Sequence, residues 1–238
     1  MPEPESLAQV LAPGGSCPIP ATHDRLQECH YWWHEMARNY HEPSPFRYSL
    51  GAFLQAARSV TLMLQAEKRA FSDLNWYKEW ASGENGQALS WVNDNRVSHF
   101  HQAALDTNSW MELRCLDAEG EVAQSSVFRV NPFICTHSSI RESDAIVSSE
   151  DENHDHEFVR HWELNDLRDQ ELLEACSKAY AILSSLLDRA HAEAGSKTKQ
   201  NYPGSVPPCM LETSLHRTAR VDQSKTWIDQ PPGLHEHA

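Results

Sequence analysis

Positive charge is in short supply: 20 Lys and Arg stand against 34 Asp and Glu, a formal net charge of -14 with His neutral, and the sequence pI is about 5.4. A chain this acidic does not coat nucleic acid through a general basic surface, which leaves room only for a local basic site. Long apolar runs are missing too. The longest, such as Val60 to Leu64, fall far short of the roughly 18 residues that a bilayer crossing needs, so no membrane span is expected. Met1 to Ser6 carries acid where a secretory leader carries Lys or Arg, and no apolar stretch follows it, so the expected location is cytoplasmic. The cysteines Cys17, Cys29, Cys115, Cys135, Cys176 and Cys209 form no CxxC pair, which predicts reduced thiols rather than a disulfide framework or a zinc ribbon. GxGxxG, HExxH, GxSxG and the P-loop pattern are absent, which removes the sequence-level case for a dinucleotide enzyme, a zincin, an α/β-hydrolase or a P-loop NTPase.

What is present is mostly helical patterning between breaker-rich ends. Pro2, Pro4, Pro13, Gly14, Gly15, Pro18 and Pro20 make a flexible arm of residues 1–22. A helix capped by Thr22 or Asp24 then carries Leu26, Cys29, Trp33, Met36, Ala37 and Tyr40 at spacings of three and four, and stops at the Glu42 to Pro45 turn. A second, from Phe46 to about Phe71, carries Leu50, Phe53, Ala57, Val60, Thr61 and Leu64. A third, more polar, runs from about Gln87 to Leu105, and a last one, starting near Asn165 or Asp166 and ending at Gly195, carries Leu172 to Ala190 on a broad apolar stripe. Between these two the period falls to two. Met111, Leu113 and Cys115 alternate with charged residues, Asp117 to Gly120 turns, Val127 to Val130 answers, and Phe158 to Leu164 alternates again, with Ser138 to His156 as loop. The expected fold is mainly α, an up-and-down helical bundle over residues 23–195 with a small β-hairpin insertion at about 109–164, followed by a tail over 196–238.

The residues that point to chemistry lie in the third helix: Asn95-Arg96-Val97-Ser98-His99-Phe100-His101. A guanidinium clamps a phosphate and an imidazole moves a proton near neutral pH, so Arg96 and His101 form a minimal kit for cutting RNA by attack of its own 2′-OH. Positions five apart on an unbroken helix lie about 140° round its axis, so one phosphate reaches both only if the helix breaks or two chains share the site. His99 shares the face of Arg96 and is a rival.

With two amphipathic helices before it and one after, the Arg-x4-His segment resembles the HEPN superfamily. Phe46 to Thr61 looks like the second bundle helix of that family and Leu172 to Ala190 like its last, and the likeness spans roughly Arg25 to Leu105 and Asp166 to Ala194. The resemblance implies a metal-independent endoribonuclease of toxin, defence or stress-response type. Arg96 would stabilise the phosphorane charge and His101 act as general acid or base, with His99 or Asn95 assisting. It also allows a non-catalytic helical module that dimerises or binds an antitoxin or a nucleotidyltransferase. RNA and a second copy are thus the expected partners, with no cofactor and no metal. His30 and His34 stand four apart and could grip zinc, as could His154 and His156, but helix surface and loop are the expected readings. The tryptophans at Trp32, Trp33, Trp76, Trp80 and Trp91 are expected in packing rather than base stacking.

Overall fold

A computed structural model describes residues 17–101, 107–136, 138–139, 155–167, 170–196, 205–221 and 228–229. The first helix, α1 (Pro20–Arg38), starts on a proline, the one residue whose missing N–H costs nothing there. Its free first-turn amides are satisfied from 45 residues away. The Glu67 carboxylate accepts from Ala21 N at 2.9 Å, Thr22 N at 3.0 Å and Thr22 Oγ1 at 2.6 Å. Glu67 is the residue that ends α2 (Pro43–Ala66). Short helices α3 (Asn75–Ser82) and α4 (Glu84–Ala88) lead into α5 (Ser90–His101), and the last long helix is α6 (Leu172–Glu193). The stripes read from sequence are the buried ones: Leu26, Cys29, Trp33 and Met36 of α1 and Leu50, Phe53, Val60 and Leu64 of α2 have no exposed surface. Trp33, Trp76 and Trp80 are core residues, with Trp32 and Trp91 packed against them.

The expectation of a helical bundle with a small hairpin is corrected here. The helices lie on one face of a five-stranded antiparallel sheet, ordered β2-β1-β3-β4-β5, so the fold is mixed α and β. Strands β1 (Thr107–Leu116), β2 (Val122–Val130) and β3 (Asp155–Leu164) are nine or ten residues long, too large for an ornament on a bundle. The chain beyond residue 205 adds a one-turn helix α7 (Thr213–Arg217), then β4 (Thr218–Val221), which pairs with β3, and β5 (Ile228–Asp229). Four and two residues are too few to leave a period in the sequence. The hairpin turn is as read, with Gly120 at φ +82°, a conformation that glycine adopts without steric cost.

One face of the sheet is buried. Thr107, Ser109, Met111 and Leu113 of β1 stand opposite Leu164, Trp162, Arg160 and Phe158 of β3, all buried, whereas Glu112, Arg114, Glu157 and Glu163 occupy the other face. Trp162 stacks on Phe46 of α2 at 4.8 Å and donates from its indole to the Tyr40 carbonyl at 2.9 Å. Beside it Arg160 has no exposed surface. Its Nε donates to Ser109 Oγ at 2.9 Å, its Nη1 to Ile134 O at 3.0 Å and Thr136 Oγ1 at 3.1 Å, and its guanidinium lies 4.2 Å over the Trp162 ring. The Tyr40 hydroxyl lies 3.0 Å from Arg160 O and 2.8 Å from Glu171 Oε1, and the other oxygen of Glu171 caps α6 by accepting from Glu174 N at 3.1 Å.

Removing the guanidinium with Arg160→Ala removes three charge-assisted hydrogen bonds, so unfolding in urea should reveal a loss of about 3 kcal/mol; a loss below about 1 kcal/mol would show the cation to be dispensable. Burial, helped by the nearby Arg160 charge, pulls His41 down to about 4, and burial, with Arg217, does the same to His161. The unfolded chain therefore takes up protons that the folded one refuses between pH about 6.5 and about 4. Stability should be full above that window and fall as pH drops through it, seen as a declining urea midpoint whose decline is shallower in His41→Gln.

Candidate metal centre

His23, His30 and His34 follow one another at spacings of seven and four, so on a 3.6-residue helix they fall within about 40° of one line along α1. At the lower end of that line the chain brings in a cysteine from far away. Pro207 and Pro208 open a 3-10 turn over Pro208–Met210, and Ser177 of α6 donates its hydroxyl to Met210 O at 2.9 Å, which fixes the turn on the helical layer. Met210 is buried and Cys209 beside it is exposed. The Cys209 Sγ lies 3.2 Å from His30 Nε2, and His30 Nε2 lies 3.2 Å from His34 Nε2. Two imidazoles on one tetrahedral zinc keep their nitrogens about 3.3 Å apart, and an imidazole and a thiolate about 3.5 Å. The three ligand atoms, all within 4.8 Å of one another, are spaced as the ligands of one ion are spaced.

The surroundings suit a cation-binding form. Burial lowers His30, and burial, helped by electrostatic coupling to His30, His216 and Arg38, lowers His34 to about 4, so both rings are neutral and carry lone pairs at neutral pH. Burial raises the Cys209 thiol, so an ion must displace its proton. The i, i+4 histidine pair was legible in the sequence, although surface was the expected reading. Its partner was not, because nothing in the spacing joins residue 30 to residue 209. His41 belongs elsewhere, its Nδ1 3.0 Å from Thr136 Oγ1. His154 lies outside the described residues, and His156 is on β3.

The third-helix residues lie on one continuous helix. α5 is unbroken from Ser90 to His101, so Arg96 and His101 occupy positions about 140° apart, and the side chains of His99 and His101 lie outside the described residues. Arg96 is half-buried, and its Nε meets no acceptor among the described residues. Asn95 is buried and donates to Trp91 O at 2.9 Å and Asp166 Oδ2 at 3.3 Å. Its amide ties α5 to the Asn165–Leu167 turn after β3, which is a packing role.

Comparison with known proteins overturns the HEPN resemblance. A family model described as "Bacteriophage lambda protein ea47" matches residues 12–226, and no HEPN model matches. The likeness rested on amphipathic helices, which many folds share, and on two residues five apart. No curated protein and no solved structure matches the chain.

Proposed function

The chain belongs to the bacteriophage lambda protein ea47 family, and we propose that it is a zinc-dependent binding protein whose ion is held by His30, His34 and Cys209. The observation that carries this reading is the convergence of three ligand atoms from two distant segments at 3.2 Å spacings. Two imidazoles and a thiolate suit Zn²⁺ better than hard cations, which prefer oxygen. Cys209 is exposed, so the fourth coordination position opens outward, to water or to a donor from another molecule. The ion also has a mechanical consequence. It clamps the Pro208–Met210 turn to α1, and from that turn the chain runs through α7 into β4, so metal occupancy and the seating of β4 on β3 are coupled.

A second reading is favoured by the half-buried Arg96 with its unpaired Nε: an endoribonuclease in which Arg96 neutralises phosphate charge and His101 or His99 transfers the proton. With those positions about 140° apart on one helix, that site needs a second copy of the chain.

Titrating metal-free protein with Zn²⁺, or with Co²⁺ whose thiolate charge-transfer absorption reports sulfur ligation, should give tight uptake. Cys209→Ser and His34→Ala should each weaken one ion by about 100-fold or more, taking the upper end of the loss seen when metal-site support is removed as a floor. Uptake unchanged in both variants would sink the zinc reading. EDTA separates the alternative: RNA cleavage that survives chelation and is lost in Arg96→Ala and His101→Ala supports the endoribonuclease, and uncut RNA rejects it.

A further inference from the structure

Seven residues up α1 from His30, His23 meets a second pair of ligand types. We propose that Cys17, His23 and His191 form a second, structural zinc site, separate from the first. His23 sits in the first turns of α1, Cys17 six residues before it on the approach to that helix, and His191, from far along the chain, in the last turn of α6. Their ligand atoms lie within 4.8 Å of one another. Cys17 Sγ is 3.8 Å from His191 Nε2, close to the roughly 3.5 Å of two ligands on one zinc. The two Nε2 atoms are 2.6 Å apart, so seating an ion asks the rings to part by about 0.7 Å, a small side-chain rotation.

A separate observation points to a ligand there. Metal-bound histidines almost always donate their other ring N–H to an oxygen that fixes the tautomer. His191 has 1 % of its surface exposed, and its Nδ1 is 3.0 Å from Ser196 Oγ, a hydroxyl that itself donates to His191 O at 3.3 Å. A hydroxyl so placed can accept from Nδ1–H, the tautomer that puts the His191 lone pair on Nε2, 2.6 Å from His23 Nε2 and 3.8 Å from Cys17 Sγ. The arrangement is built by the helix end. Gly195 at φ +67° reverses the chain so that Ser196 folds back over His191, and Ser196 N bonds His191 O at 2.8 Å. The C-terminal end of a 22-residue helix also favours a cation.

His23 and His30 are about 10.5 Å apart along the helix axis, against roughly 4 Å between the ions of a binuclear centre, so the two sites hold separate ions. At this one Cys17 binds as thiolate, its proton passing to solvent, and the ion fastens the chain before α1 to the end of α6.

The full-length protein, stripped of metal and titrated with Zn²⁺, should take up two ions, counted by elemental analysis after gel filtration. Cys17→Ser, a near-isosteric change at a half-buried position, should reduce uptake to one and leave uptake at Cys209 intact, and His191→Ala should do the same if it folds. Ser196→Ala should weaken only this ion, by about 10-fold, without changing the other. A wild-type count of one that Cys209→Ser abolishes overturns this proposal and leaves the first site standing. A count of one that Cys17→Ser abolishes supports this proposal and rejects the first site. Two-ion uptake indifferent to Cys17→Ser also overturns the second site.

Discussion

The burial of the Arg160 guanidinium is the constraint from which the rest of this architecture follows. A cation with no exposed surface is tolerated only where acceptors or π faces meet it, and here Nε finds Ser109 of β1, Nη1 finds Ile134 and Thr136, and the guanidinium lies over the Trp162 ring of its own strand, while Nη2 meets no acceptor among the described residues. Burial lowers Arg160 only to about 10, so it stays charged at any physiological pH. Its own carbonyl meets Tyr40, Tyr40 meets Glu171, and Glu171 starts α6. One polar knot thus joins the end of α1, the start of α6 and the centre of β3, and so sets how the sheet lies on the helices.

From that knot α1 runs back toward the N-terminus with its histidines on one flank, and α6 runs alongside toward His191. The core is apolar and continuous where these helices meet α2 and the sheet, and it includes Ile19 and Met210, beside which Cys17 and Cys209 lie at its edge. Coordination bonds at such an edge add to the order that hydrophobic burial supplies. The two clusters of histidine and cysteine are the chemistry suited to that.

Much of the helical layer was legible in the sequence because a 3.6-residue stripe is a local signal, and Leu26 to Tyr40 and Leu50 to Leu64 are buried as their spacing implies. The strands of β1, β2 and Phe158 to Leu164 were legible for the same reason, at a period of two. What the pattern could not convey was partnership. The sheet was read as an insertion because pairing between residues 107–116 and 155–164 leaves no trace in either segment alone, and Thr218–Val221 is too short to alternate visibly. The same holds for the site: His30 and His34 are neighbours on one helix, whereas Cys209 arrives through a turn set by two prolines. At Arg96 and His101 a spacing of five does not by itself say whether the helix that carries it is continuous, and the bond from Asn95, beside them, to Asp166 leaves no trace in the sequence.

The Glu67 carboxylate at the start of α1 has a consequence in time as well as in space. It closes a loop of fewer than fifty residues, within which α1 and α2 already bury Trp33, Met36, Phe53 and Val60. Loops of that size close with modest entropy loss, and local contacts form ahead of distant ones. The helical pair is therefore the natural nucleus of folding. The sheet, whose strands β1 and β3 are separated in sequence by β2 and the residues that follow it, condenses onto a surface that is already there.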